Sequence, residues 1–105
     1  MKKSDIFNRI VDTVVDVCAV PREKILGYAK HAEVVDARCI AVRCAMRYGL
    51  TTRDIMVFMK RSNTSTIRSL DATYNDRKSS YAYRICAAEV RRQLDEYFTK
   101  NMTNT

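Results

Sequence analysis

Turn-forming residues are scarce. The 105-residue chain holds two glycines, Gly27 and Gly49, and one proline, Pro21. An all-β sandwich or barrel needs many more such punctuators, so helices are the default expectation. Histidine occurs once, at His31, and no two of the four cysteines (Cys18, Cys39, Cys44, Cys86) form a C-x-x-C pair. A four-ligand zinc site would have to be gathered from scattered positions. Each cysteine lies in an apolar helical pattern, which reads as reduced core residues and a cytoplasmic setting. Phosphate-cradling and dinucleotide-binding glycine loops are absent, as are the G-x-S-x-G elbow and the H-E-x-x-H zinc helix. An enzyme is therefore the least favoured reading, and no cofactor, metal or bound nucleotide is expected. No apolar run approaches transmembrane length, and no continuous apolar stretch follows Met1-Lys2-Lys3-Ser4-Asp5, so neither a membrane span nor a signal peptide is expected.

Apolar residues make up 47% of the chain, enough for one core in a single domain of this length. The formal net charge is +7 and the isoelectric point is about 9.5. A basic balance on a small domain suggests a polyanionic partner, nucleic acid or an acidic membrane surface.

Hydrophobic periodicity divides the chain into about five to six helices. Ile6, Phe7, Ile10, Val11, Val14, Val15 and Cys18 form an i, i+3, i+4, i+7 stripe over residues 4–19, with Ser4 or Asp5 as N-cap. Val20-Pro21 ends this helix. A short second helix, 21–26, stops at Gly27, read as a left-handed C-cap. Residues 28–33 read as a loop. A long helix over about 34–48 closes at Gly49. Thr51 and Asp54 have the spacing of a capping box, with Asp replacing the usual Glu, and open a short helix through Met59. Lys60-Arg61 makes a tight turn, Ser62 or Asn63 caps a helix running to about Tyr74, and together residues 51–76 have the helix-turn-helix pattern. A break at 75–79 precedes a last helix over about 80–100. The domain divides into a core over 4–74, an added C-terminal segment over 78–100 and an unstructured tail at 101–105.

Chemistry concentrates after the turn. Ser62-Asn63-Thr64-Ser65-Thr66 opens a helix, whose free N–H groups favour phosphate oxygens. Asn suits adenine through a bidentate contact, and a Thr methyl suits the thymine methyl. The same residue types are also ordinary N-cap and first-turn residues.

Residues from about Ile6 to Leu70 resemble the C-terminal DNA-binding domain of the DnaA-type replication initiators, which is related in fold to the Trp repressor. That family has a short "V-x-x-x-D-L-L" helix, a basic loop, then "V-A-R-P-R-Q-I-A" opening a long helix. Here the corresponding stretch is Val20-Pro21-Arg22-Glu23-Lys24-Ile25-Leu26, then Lys30, then Val34-Val35-Asp36-Ala37-Arg38-Cys39-Ile40-Ala41. Gly49-Leu50-Thr51-Thr52-Arg53-Asp54-Ile55-Met56 matches "G-L-S-L-P-E-I-G". The signature "F-G-G-R-D-H-T-T-V" falls on Met59-Lys60-Arg61-Ser62-Asn63-Thr64-Ser65-Thr66-Ile67.

The resemblance implies that Asn63, Thr64 and Ser65 read bases in the major groove. It also implies that Lys30 enters the minor groove and that Arg38 and Thr66 hold the backbone. Lys60 and Arg61 replace two family glycines and flank the turn beside the phosphates; positive φ at either would cost about 1 kcal/mol. Ser62 and Arg68 complete the candidate DNA-contacting set. The family's base-reading Asp and His are Asn63 and Thr64 here, so the family's own target box is not the expected site. The family's ATPase domain has no counterpart in this chain. The expected partner is double-stranded DNA, in a regulatory or replication-related role.

The last helix lies outside the resemblance. Its stripe of Tyr83, Cys86, Val90, Leu94 and Tyr97 either packs on its own domain, especially on the first helix, or forms a homodimer suited to a palindromic site. A protein-interaction or dimerisation module on the same scaffold is the alternative function. RNA binding is less favoured because no aromatic stacking cluster is evident.

Overall fold

The computed structural model describes residues 1–102. Its helices are α1 (Lys3–Cys18), α2 (Arg22–Ile25), α3 (Ala32–Arg47), α4 (Thr52–Phe58), α5 (Thr64–Ala72), α6 (Tyr74–Arg77) and α7 (Tyr81–Met102), and no strand occurs among the described residues. The all-helical class and the long C-terminal helix match the sequence reading. The final helix runs on through Asn101 and Met102, where an unstructured tail was expected; the rest of that tail lies outside the described residues. The periodicity predicts that the helix after Asn63 reaches Tyr74, but the chain leaves the helix at Thr73 and resumes for one turn as α6.

α3 is the central element. Ten of its sixteen residues are buried, more than one face of a surface helix can supply, and α1, α2, α4, α5 and α7 all pack against it. α1 adds Phe7, Ile10, Val11 and Val14 to this core, while α7 adds Tyr83, Val90, Leu94 and Phe98. The apolar stripe of α7 is thus covered by its own domain, chiefly by α1. Tyr97 is half-buried and carries the Arg9 guanidinium 4.1 Å over its ring. The burial of this stripe removes the sequence argument for a dimer built on it.

Local chemistry explains the helix ends. α3 stops in a Schellman arrangement: Gly49 adopts φ +95°, its N–H donates to the Met46 carbonyl at 3.1 Å, and the Leu50 N–H reaches the Ala45 carbonyl at 3.0 Å. Thr51 and Asp54 form the expected capping box, with bonds of 2.9 and 3.1 Å. α3 begins at Ala32, inside the segment 28–33 read as a loop, and two caps also differ from expectation. Lys2, rather than Ser4 or Asp5, is the N-cap of α1, with Asp5 accepting its backbone N–H. Gly27 is not left-handed, and α2 ends at Leu26 in right-handed geometry. Glycine is needed at 27 for space: a Cβ there would lie 2.8 Å from the Glu23 carbonyl oxygen.

The four cysteines are free thiols; Cys39 and Cys44 are buried, Cys18 and Cys86 half-buried. Among the described residues no helix is long and apolar enough to cross a membrane.

Candidate nucleic-acid interface

α4 and α5 are joined by residues 59–63 and anchored by Ile55 and Ile67, both fully buried. Their connection is a second Schellman turn. The Lys60 N–H donates to Val57 at 3.1 Å and the Arg61 N–H to Met56 at 2.9 Å. Lys60 takes the left-handed conformation, φ +57°, that such a turn demands. The strain foreseen for a non-glycine turn therefore falls on Lys60 alone. Its side chain is exposed.

Arg61 points the other way. It is 8% exposed, and its guanidinium donates to the Leu26 carbonyl at 2.9 Å and the Gly27 carbonyl at 2.6 Å. The Tyr28 ring, itself exposed, lies 4.1 Å from the guanidinium carbon. From the opposite side Arg38 of α3, 4% exposed, donates to the carbonyls of Ile25 at 2.8 Å, Ala29 at 2.9 Å and Lys24 at 2.7 Å. Two guanidiniums thus satisfy a run of carbonyls at the end of α2, where unpaired C=O groups and the negative helix end favour cations. Burial and the neighbouring Arg61 charge hold the Arg38 pKa below its ordinary value.

This arrangement corrects the assignment of Arg38 and Arg61 as phosphate contacts. Their donors are turned into the protein. Their effect is on position: Arg61 follows Lys60 in the turn, and Arg38 bonds the carbonyl just before Lys30. The α4–α5 turn and the loop that carries Lys30 are therefore held side by side.

Asn63 needs a second correction. It is the N-cap of α5, and its Oδ1 accepts from the Thr66 N–H at 3.1 Å and the Thr66 hydroxyl at 3.2 Å, as well as from the Ser65 hydroxyl. A bidentate contact with adenine needs that oxygen as a free acceptor. The capping role wins, because an unmade cap leaves helix N–H groups unsatisfied. Thr64 accepts a bond from the Arg68 guanidinium at 3.3 Å.

What α5 shows to solvent is the stripe Ser65, Arg68, Ser69 and Ala72, at i, i+3, i+4 and i+7, opposite Ile67. Exposed Ser62 and Lys60 extend this surface into the turn, and exposed Lys24 and Lys30 flank the adjoining loop. Arg53, at the start of α4, is exposed too. None of Lys24, Lys30, Arg53, Lys60 and Arg68 has a salt-bridge partner among the described residues. Lys24, Tyr28, Arg53 and Ser69 are additions to the sequence-derived set. Ser69 was readable as the face opposite Ile67 and Leu70, but the other three needed the fold.

Comparison with family models, with curated proteins and with solved structures finds no match.

Proposed function

We propose that this chain binds double-stranded DNA, with α5 in the major groove and the loop around Lys30 on the adjacent backbone or minor groove. The observation that carries this reading is the pairing of an exposed polar face on α5 with five cations that lack carboxylate partners. The resemblance to the DNA-binding domain of DnaA-type initiators supports the same docking mode, since it too sets a basic loop beside a helix-turn-helix. Ser62, Ser65, Arg68 and Ser69 are the side chains that reach bases or adjacent phosphates. Lys24, Lys30, Arg53 and Lys60 supply phosphate contacts, which dominate affinity and make it depend on salt. Arg is the commonest reader of guanine, so Arg68 is the residue on which sequence preference should turn.

The test is duplex selection followed by affinity measurement at about 50 and about 200 mM salt. Five neutralised phosphates give a log–log slope of roughly −4 to −5, a loss of several hundredfold over that range. Undetectable duplex binding at the lower salt rejects the reading.

A protein-interaction role draws on a different observation. Tyr81 and Ile85, one turn apart on α7, are 72% and 52% exposed. Association through that pair would depend weakly on salt and would survive neutralisation of Lys30 and Lys60.

A further inference from the structure

A cavity of about 210 Å³ opens between α3 and α7. It lies on the face of α3 opposite Arg38, since Ile40, Cys44 and Arg47 project there at helical spacing. Its floor is apolar: Ile40, Cys44 and Tyr83 are 1%, 4% and 3% exposed. Tyr74 closes one end, its ring tilted against that of Tyr83 with centroids 6.0 Å apart.

The rim is cationic. Arg43 and Arg47 stand one turn apart on α3, and Arg91 faces them from α7. Burial pushes the Cys44 thiol up to about 11, with Arg91, Arg47 and Arg43 pulling it down and Asp95 opposing them, and all three guanidiniums line the cavity. Arg43 stacks 3.7 Å above Tyr74 and pairs with Asp71 at 3.0 Å. The Arg47 contact with Asp95 is long, 3.4 Å, and Arg91 has no salt-bridge partner among the described residues. Neither aspartate lines the cavity.

We propose that this cavity binds a small aromatic carboxylate, with its ring on Ile40, Cys44 and Tyr83 and its carboxylate between Arg47 and Arg91. A dry cavity of about 150 Å³ already accepts a benzene ring, so the space suffices for one ring and a short acidic arm. Guanidiniums bind carboxylates through paired, charge-assisted hydrogen bonds, and the tilted tyrosine pair offers an aromatic wall. A bare inorganic anion would leave the apolar floor uncovered. One consequence rests on the DNA reading: Arg43 is also the partner of Asp71 on α5, so an occupant beside Arg43 shifts the position of the recognition helix.

The site is tested without DNA, by calorimetric titration of the full chain with phenylacetate, phenylacetamide and acetate. Phenylacetate should saturate a single site, and both controls should bind about tenfold more weakly or worse. Arg91→Gln, at an exposed position, should weaken phenylacetate by a similar factor with an unchanged melting temperature, while Arg68→Gln should have no effect. Equal binding of the amide, no saturation by phenylacetate, or indifference to Arg91→Gln overturns the site. Duplex affinity measured with phenylacetate at saturation tests the coupling, with a change of about fivefold or more expected. Unchanged affinity in a chain that binds DNA overturns the coupling and leaves the site standing.

Discussion

Residues 22–68 and residues 69–102 handle positive charge in different ways. The first segment carries ten Lys and Arg against four Asp and Glu, the second six against five. On α7, Arg92 is held by Glu89 at 2.6 Å and Glu96 at 3.2 Å, and Asp95 receives bonds from Tyr48 and Arg47. These contacts hold the Glu89 and Asp95 carboxyls below the usual range, Glu89 at about 2. At the α4–α5 end Lys24, Lys30, Arg53, Lys60 and Arg68 have no carboxylate partner among the described residues. There the two buried arginines bond to carbonyl oxygens, and the lysines extend into solvent. The division follows from shape: a planar guanidinium can satisfy several carbonyls at once, whereas an ammonium is more strongly hydrated. Net charge is therefore a property of one end of the molecule, and two of the five cations that made that end look like a phosphate site, Arg38 and Arg61, are structural.

That contrast can be broken first at the buried arginines. Arg38→Ala and Arg61→Ala should each lower unfolding stability by about 2–3 kcal/mol, because they remove charged donors from several buried or part-buried carbonyls at the end of α2. Arg92→Ala should cost far less, as the loss of exposed, solvent-screened ion pairs does. Urea denaturation of the three variants decides the matter, and equal effects would erase the distinction. The turn offers a test of opposite sign. Lys60→Gly should raise stability by about 1 kcal/mol by relieving the left-handed lysine, while weakening duplex binding through the lost charge. Asn63→Ala should lower stability by about 1 kcal/mol as a missing cap. Asn63→Asp keeps the cap and should restore most of it. A changed sequence preference in Asn63→Ala with unaltered stability would instead make Asn63 a base reader.

The fold was legible wherever the determinant was local. The Thr51–Asp54 box and Gly49 each act within a few residues, and the amphipathic stripes of α1 and α7 report burial directly. The fate of Arg38 and Arg61 was not legible, because their acceptors are backbone carbonyls far away in sequence. The distance is 9–14 residues for Arg38 and 34–35 for the loop acceptors of Arg61. Nothing in a carbonyl's residue type announces that it will be unpaired. Asn63 was ambiguous for another reason: the same amide can cap a helix or read adenine, and only its hydrogen-bond geometry distinguishes the two. Gly27 has the residue type of a left-handed cap, yet it answers a steric requirement that only the packed α2 turn creates.

The most direct measurement compares salt dependence after removing charge from each end. One variant combines Lys30→Gln, Lys60→Gln and Arg68→Gln; the other combines Arg84→Gln and Arg92→Gln on α7. Both are titrated with the same duplex across a salt series, after their folding is checked by denaturation. DNA binding through the helix-turn-helix predicts that the first variant loses about 3 from the magnitude of the log–log slope, while the second keeps the slope of the unaltered chain. An equal loss in both variants, or no loss in the first, would contradict it.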